Sequence, residues 1–549
     1  MLHYLEKPVI YQLLPRLFGN INNHCVPNGT IEENGCGKLA DINPQVLESL
    51  RQLGVTHVWY TGVIRHATQT DYSAHGIPKN NPHVVKGKAG SPYAIVDYYD
   101  IDPDLAVEVD KRQQEFDALV ERTHRAGLKV IIDFVPNHVA REYHSIARPD
   151  GISDLGEGDD TGMFFARNNN FYYLTGQTFA PTIGCGDYHE FPAKATGNDC
   201  YSASPSENDW YETIKLNYGI DPWNGSRHFD PIPDTWHKML HIILYWADRG
   251  IDGLRCDMAH MVPVEFWHWA IGQVKAHYPH LFFIAEIYDV ALYDSYINYG
   301  GFDYLYDKVT LYDSLVNVLK NSASAHTLTS CWQTINPWRG HMLHFMENHD
   351  EVRLASRHLC GDGRLARPAV VVSATIDTCP MMVYCGQELG ENGDEAEGYR
   401  GADGRTTIFD YWSMHTIRQW LSRPNLDRRN PLRDYYRRVL QLCRQERAIA
   451  FGEMFDLMYV NSHLQQQYAY LRYVDKELLL VVANFAVHDN KQSVVLPAHA
   501  FDYLGITPGQ YRGNELLHGG SKLYELVPDC SIDVTIKAND AVVLKFFVK

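Results

Sequence analysis

Residues 251 to 287, IDGLRCDMAHMVPVEFWHWAIGQVKAHYPHLFFIAEI, hold a short apolar run, a helical pattern and a second short apolar run. Phe282–Glu286 is apolar up to its closing Glu286, and in Gly253–Asp257 only Arg255 interrupts the run before Asp257. Mostly apolar runs of this length suit strands covered on both faces. Between them Phe266, Trp269, Ala270, Gln273 and Val274 recur at helical spacing. The stretch predicts two parallel strands joined by a helix, each strand closing on a carboxylate, Asp257 and Glu286.

The unit repeats outward. Val9–Leu14, Val55–Tyr60, Val130–Val135, Phe302–Tyr306, Met342–Met346 and Met381–Cys385 bring the runs to eight. Helical stripes separate them: Val46, Leu47, Leu50 and Leu53; Phe116, Leu119, Val120 and Thr123; Trp236, Leu240, Ile243, Leu244 and Ala247. Gly127 and Gly250 close two of these patterns as C-caps. Eight alternations predict an α/β fold, a closed (β/α)8 TIM barrel.

Two segments break the rhythm. Residues 139–234, rich in Gly, Asn, Asp and Pro, are too long for a plain loop and predict a domain inserted after strand three. After about residue 450 the period changes to two, as in Tyr468-Ala-Tyr-Leu-Arg-Tyr, Glu477–Phe485 and Ala541–Val548, which predicts a C-terminal antiparallel β-sandwich. The expected organisation is a first barrel part at 1–138, the insert at 139–234, a second barrel part at 235–449 and the C-terminal domain at 450–549.

The 549 residues are 45% apolar and 21% charged, as in soluble globular proteins. A net charge of −18 makes phosphate backbones and anionic membranes poor partners, and neither is expected. No apolar run approaches the ~20 residues of a membrane span. Met1–Lys7 lacks a basic start followed by an apolar stretch, so no signal peptide is read and a cytoplasmic location is expected. Eleven cysteines, with no CxxC pair or zinc-type spacing, read as scattered thiols in a reducing compartment, with a Cys185–Cys200 bridge in an exported form as the alternative.

The strand ends carry the chemistry. Strand three closes as Asp133-Phe-Val-Pro-Asn137-His138 and strand four as Arg255-Cys-Asp257. Strand five closes on Glu286, and strand seven leads into Asn348-His349-Asp350. In a parallel barrel all C-terminal strand ends meet at one face. Three carboxylates, a guanidinium and two imidazoles there suit glycosidic cleavage, which needs a carboxylate at the sugar carbon and a carboxylic acid at the leaving oxygen. Arg255 stands two residues before Asp257, on the same side of the strand, where its charge favours an ionised Asp257.

These segments resemble the motifs of the α-amylase family of glycoside hydrolases and transglycosylases. Asp133–His138 is similar to its DxxxNH motif, Gly253–Asp257 to GxRxD, Ala285-Glu286 to the third motif and Asn348-His349-Asp350 to NHD, in order. Ser91-Pro-Tyr93 resembles the loop after strand two, and Lys215-Leu-Asn217 the insert motif of the neopullulanase and maltogenic amylase branch. The resemblance implies Asp257 as nucleophile, Glu286 as general acid and then base, and Asp350 as the group that grips sugar hydroxyls. It implies Arg255 as orienter of Asp257, His138 and His349 as sugar-hydroxyl ligands, and Tyr93 as a stacking ring. It implies retention, with the two catalytic carboxyls about 5–5.5 Å apart, and an α-glucan or maltooligosaccharide substrate. Hydrolysis leads. Glucan or maltosyl transfer and trehalose–maltose interconversion use the same triad. An inactive accessory protein is a remote reading, because all three carboxylates are present.

In calcium-dependent members the first-motif Asn and the backbone of the residue four after the nucleophile help bind the ion. Here these are Asn137 and Met261; a thioether is a poor calcium ligand, which leaves the Met261 backbone carbonyl as the alternative. No cofactor is expected to be required, no metal is assigned to the site, and a structural calcium is disfavoured. The acidic run Asp154, Glu157, Asp159, Asp160 reads as a solvated loop. Linkage preference and oligomeric state are not legible.

Overall fold

Strands that are apolar along their whole length need cover on both faces, and a closed barrel supplies it. The computed structural model describes residues 7–399, 401–422 and 430–549; Met1–Glu6, part of the stretch searched for a leader, lies outside them. The barrel strands are β1 (Val9–Leu13), β2 (His57–Tyr60), β3 (Lys129–Phe134), β4 (Gly253–Cys256), β5 (Phe282–Ala285), β6 (Tyr304–Tyr306), β7 (Met342–Phe345) and β8 (Met381–Tyr384). Each pairs in parallel with its neighbours, and β8 returns to β1. All eight expected runs are strands of this barrel. Ile10, Trp59, Ile131, Ile284, Tyr306, Leu343, Phe345 and Met382 fill its interior.

Helices cover the outside. Pro44–Leu53 and Arg112–Arg125 bury the four-residue stripes read from the sequence. The next two helices bury part of the expected stripes, Trp236, Ile243 and Ala247 in one and Phe266, Ala270 and Val274 in the other, and depart from the rest. Asp234–Asp248 buries Met239, Ile242 and Trp246, while Leu240 and Leu244 are only partly covered. Val264–His277 buries Trp267 and Ile271, with Gln273 exposed and Trp269 half-buried. Both helices are apolar over most of their circumference, so spacing alone admits more than one stripe. Trp269 instead covers the seam between them, its ring 5.8 Å from that of Trp236.

The segment after β3 folds as short antiparallel ribbons. His138–Ala140 pairs with Thr213–Lys215, placing His138 opposite Lys215, and Tyr173–Leu174 pairs with Ala193–Lys194. The chain ends in antiparallel sheets. Glu453–Asp456, Gln467–Val474, Glu477–Asn484, Asp540–Phe547, Gly509–Glu515 and Ser521–Leu526 form one in that spatial order. Asn490–Leu496 pairs with Cys530–Ile536 in the other. Glu477–Asn484 is buried at every position, as a central strand with cover on both faces must be. All eleven cysteines are free thiols. Among the described residues no helix is long and apolar enough to cross a membrane.

One buried ion pair ties the loop after β8 to the barrel mouth. Arg353 donates to Glu347 Oε2 at 2.9 Å, to the Cys385 carbonyl at 2.9 Å and to Thr406 Oγ1 at 2.9 Å, and its guanidinium lies 3.9 Å from the Tyr384 ring centre. Burial pushes the Glu347 carboxyl up to about 7, with Arg353 pulling the other way. Arg353→Ala strands Glu347 in the interior and is expected to cost about 3–5 kcal/mol. Urea unfolding at alkaline pH, where Glu347 is ionised, measures the loss.

Candidate active site

The barrel ladder runs one residue past β4 and β5. Asp257 N–H donates to the Phe134 carbonyl at 2.9 Å and Glu286 N–H to the Cys256 carbonyl at 3.1 Å. The two carboxylates therefore sit side by side at the rim. Arg255, two residues back on the inward side, is 0% exposed. Its Nη1 donates to Asp257 Oδ1 at 2.6 Å, and its Nη2 lies 2.7 Å from Glu286 Oε2. Asp133 Oδ1 is further off, 3.7 Å from Nη1. The rings of Tyr93, Trp59 and Tyr306 surround the guanidinium at 5.3, 5.5 and 5.5 Å and keep water away from it.

Glu286 accepts from Tyr288 OH at 2.5 Å on Oε1 and from Met258 N–H at 2.9 Å on Oε2. Met258 takes a left-handed conformation (φ 41°), uncommon for a non-glycine residue, and the turn aims its N–H at the carboxylate. Asp350 accepts from Tyr399 OH at 2.6 Å on Oδ1, and its Oδ2 is 3.2 Å from His349 Nε2. His349 is engaged at both nitrogens: Gln12 Nε2 is 2.8 Å from Nδ1 and Tyr93 OH is 2.5 Å from Nε2. The Tyr93 ring also stacks on the imidazole, centroids 5.3 Å apart. His138 packs beside Trp210, centroids 5.2 Å apart.

These groups surround a cavity of about 280 Å³. Of the seven residues named from the sequence, Tyr93, His138, Asp257, Glu286 and Asp350 line it. Arg255 and His349 lie directly behind the wall. Sequence reasoning missed Tyr288, Tyr399, Trp210, Glu212 and Lys86, which also line it. Tyr288 carries a readable signal, standing two residues after Glu286. The others come from the insert and from loops, where no periodicity marks them. In the loop after β8, Phe409 reaches the cavity, whereas Tyr411 and Trp412 are packed away and Tyr411 OH donates to Asp104 Oδ2 at 2.7 Å. A second hollow of about 680 Å³ shares Lys86, Trp210, Tyr399 and Phe409 with the first, so the pocket continues as a groove.

Two acids on one cation decide the electrostatics. Burial pushes the Asp257 carboxyl well above the usual carboxylate range. Arg255 pulls it down, and the Glu286 charge pushes it up again. Burial is the larger influence, so the dry pocket opposes the ionised Asp257 that the neighbouring guanidinium favours. Burial, with the charges of Lys215 and Lys86, lowers His138 to about 3, so its imidazole is neutral at ordinary pH.

The oxygens that the resemblance implies for calcium both face a cation of the protein itself. Asn137 Oδ1 accepts from Lys215 Nζ, and the Met261 carbonyl accepts from the same nitrogen at 3.2 Å. A divalent ion does not fit in contact with an ammonium there. The acidic run is solvated as expected at Glu157 and Asp160 but not at its other two carboxylates. Asp154 is buried and accepts from Ser145 N–H at 2.8 Å, while Asp159 accepts from the N–H groups of Asn170 and Phe171. Its side chains are consumed in shaping the loop. Among the described residues, His344, Asp377 and Cys379 form the one cluster with metal-like spacing. His344 lies 3.1 Å from Asp307 and 2.9 Å from Asp377. Burial opposes its charge, but the carboxylates outweigh burial and raise its pKa well above the usual value, and an imidazolium cannot ligate a metal.

A family model described as "Alpha amylase, catalytic domain" matches residues 12–167. The α-amylase MalA of Haloarcula japonica is 24% identical over 394 residues, which are 71% of this chain and 45% of that protein. A cyclomaltodextrinase of a Bacillus species is 21% identical, covering 88% of this chain and 73% of its own. The chain thus spans under half the length of the first relative. The crystal structure of the maltogenic α-amylase AmyB from Thermotoga neapolitana superposes with a TM-score of 0.64 at 19% identity, covering 99% of both chains, and shows the shared fold.

The depressed His138 has a thermodynamic consequence. The unfolded chain takes this proton near the ordinary value of 6.5, whereas the folded chain refuses it until about 3. Stability therefore falls as pH drops through that window. His57, also lowered to about 3 by burial, acts in the same direction. His138→Gln is expected to reduce the slope of unfolding free energy against pH between 6.5 and 3 without abolishing it, as denaturant titrations across that range would show.

Proposed function

We propose that this chain, which belongs to the α-amylase family of glycosidases, hydrolyses α-glucosidic bonds of maltooligosaccharides and related α-glucans by double displacement. The observation that carries the reading is the pair of carboxylates held on one buried guanidinium at the floor of the pocket. A sugar seated there has Asp257 at its anomeric carbon and Glu286 at its leaving oxygen. Asp257 Oδ forms the bond to carbon as the C–O bond breaks, and Glu286 gives its proton to the departing sugar hydroxyl. Water then attacks the same carbon, Glu286 takes a water proton, and the bond to Asp257 breaks. Arg255 fixes the face that Asp257 presents. As positive charge develops on the ring, the ionised Asp257 and the adjacent Asp350 stabilise it.

Several features support an oligosaccharide substrate. The pocket opens into a groove bordered by Trp210, Tyr211, Tyr399 and Phe409, flat rings of the kind on which sugar faces stack. The cyclomaltodextrinase and maltogenic α-amylase relatives point to the same class. In this reading Tyr93 and His138 touch the sugar, and His349, with both nitrogens engaged, positions Tyr93 and Asp350.

Asp257→Asn is expected to remove turnover while leaving the thermal unfolding midpoint near that of the parent. Retained activity overturns the assignment. Glu286→Gln should lower kcat by about 10²–10⁴-fold on natural glucans and by far less on aryl glucosides whose leaving group needs no proton. Products from maltose, maltoheptaose and trehalose separate hydrolysis from its rivals: shorter sugars support hydrolysis, and longer or rearranged ones mean transfer or isomerisation. A protein inert on every α-glucan tested is an accessory protein instead.

A further inference from the structure

Where three chain segments meet behind the pocket wall, an ammonium sits among oxygens. We propose that Lys215 is a built-in cation that takes the place of a divalent ion between the end of β3, the insert and the loop after β4, so that the protein needs no calcium. Lys215 Nζ donates to Asn137 Oδ1 and to the Met261 carbonyl at 3.2 Å, and it lies 2.8 Å from Asp199 Oδ1. A side-chain amide, a backbone carbonyl and a carboxylate are the hard oxygens that calcium selects. Three acceptors match the three N–H bonds of one ammonium. One carboxylate balances its single charge, whereas a divalent ion there would be left short of both charge and ligands, since calcium takes six to eight oxygens.

The surroundings hold this arrangement in place. The lysine side chain is 7% exposed. Pairing of His138 with Lys215 across the ribbon fixes where the lysine enters. Asn137 Nδ2 donates to the Gly197 carbonyl at 2.7 Å, which turns Oδ1 toward the ammonium. The insert repeats the device at a second place. Lys238 Nζ donates to the Asp154 carbonyl at 2.7 Å and Asn170 Oδ1 at 2.9 Å, and pairs with Asp234 at 2.8 Å. The insert is thus fastened to the barrel by lysines at two points. At the first, the fastening abuts residues of the wall, His138 on one side and the loop from Met258 on the other.

The test is thermal unfolding of the full chain with EDTA and with excess calcium chloride. The parent midpoint is expected to be the same in both. Lys215→Ala should unfold at a lower temperature in EDTA, and calcium should raise its midpoint saturably by filling the vacated oxygens. Adding Asp199→Ala to that variant should abolish the calcium response. A parent midpoint that falls in EDTA and recovers with calcium overturns the proposal, and so does a Lys215→Ala protein that folds but ignores calcium. If Lys215→Ala does not fold, terbium luminescence on the parent decides: emission displaced by calcium overturns the proposal, and no binding supports it. Neither readout depends on catalysis, so the result stands apart from the glycosidase assignment.

Discussion

One guanidinium shared by two acids is the constraint on which the site depends. Removing Arg255 from water is expensive, and the cost is met only because Asp257 and Glu286 lie within contact of it and aromatic rings close over it. The arrangement serves chemistry more than stability. The dry pocket opposes the charge of Asp257, and the guanidinium of Arg255 is what works against that opposition. The barrel makes this possible because adjacent parallel strands present their end residues in the same register. Neither strand alone, nor a hairpin, would set Asp257 and Glu286 side by side over Arg255.

Around that centre the hydrogen bonds form a chain. Gln12 holds His349, His349 meets Tyr93 and Asp350, and Tyr399 reaches from the loop after β8 to hold Asp350 from the other side. Arg353 and Glu347 anchor that loop at its base. A loop is the least constrained part of a barrel, yet here it supplies a wall residue. The buried ion pair is what lets it hold a position accurately enough to do so. Asp350 is half a strand-end residue and half a loop residue in this sense, and its orientation depends on both.

Fastening by lysine rather than by metal follows the same logic of charge in confined places. An ammonium asks for three acceptors and one negative charge, which Asn137, Met261 and Asp199 provide. The acidic run in the insert shows the converse. Its carboxylates are spent on backbone N–H groups, so acidity in the sequence does not become an ion site in space.

Much was legible in the chain itself. Eight short, mostly apolar runs read as strands covered on both faces, and their alternation with helical stripes left a closed barrel as the economical solution. The strand-end residues Arg255, Asp257 and Glu286 were readable because a strand's period of two and its terminus are local properties. Other features were not. The buried faces of Asp234–Asp248 and Val264–His277 match the expected stripes only in part, because helices apolar most of the way round choose a face only when neighbours arrive. Tyr399, Trp210 and Lys86 reach the pocket from segments without periodicity. That His349 stands behind the wall, and that Lys215 meets Asn137, Met261 and Asp199, depends on contacts across tens of residues of chain. Sequence determines which residues a strand end offers. Only closure of the barrel, by fixing register between strands and the path of every loop, decides which of them face the same few ångströms of space.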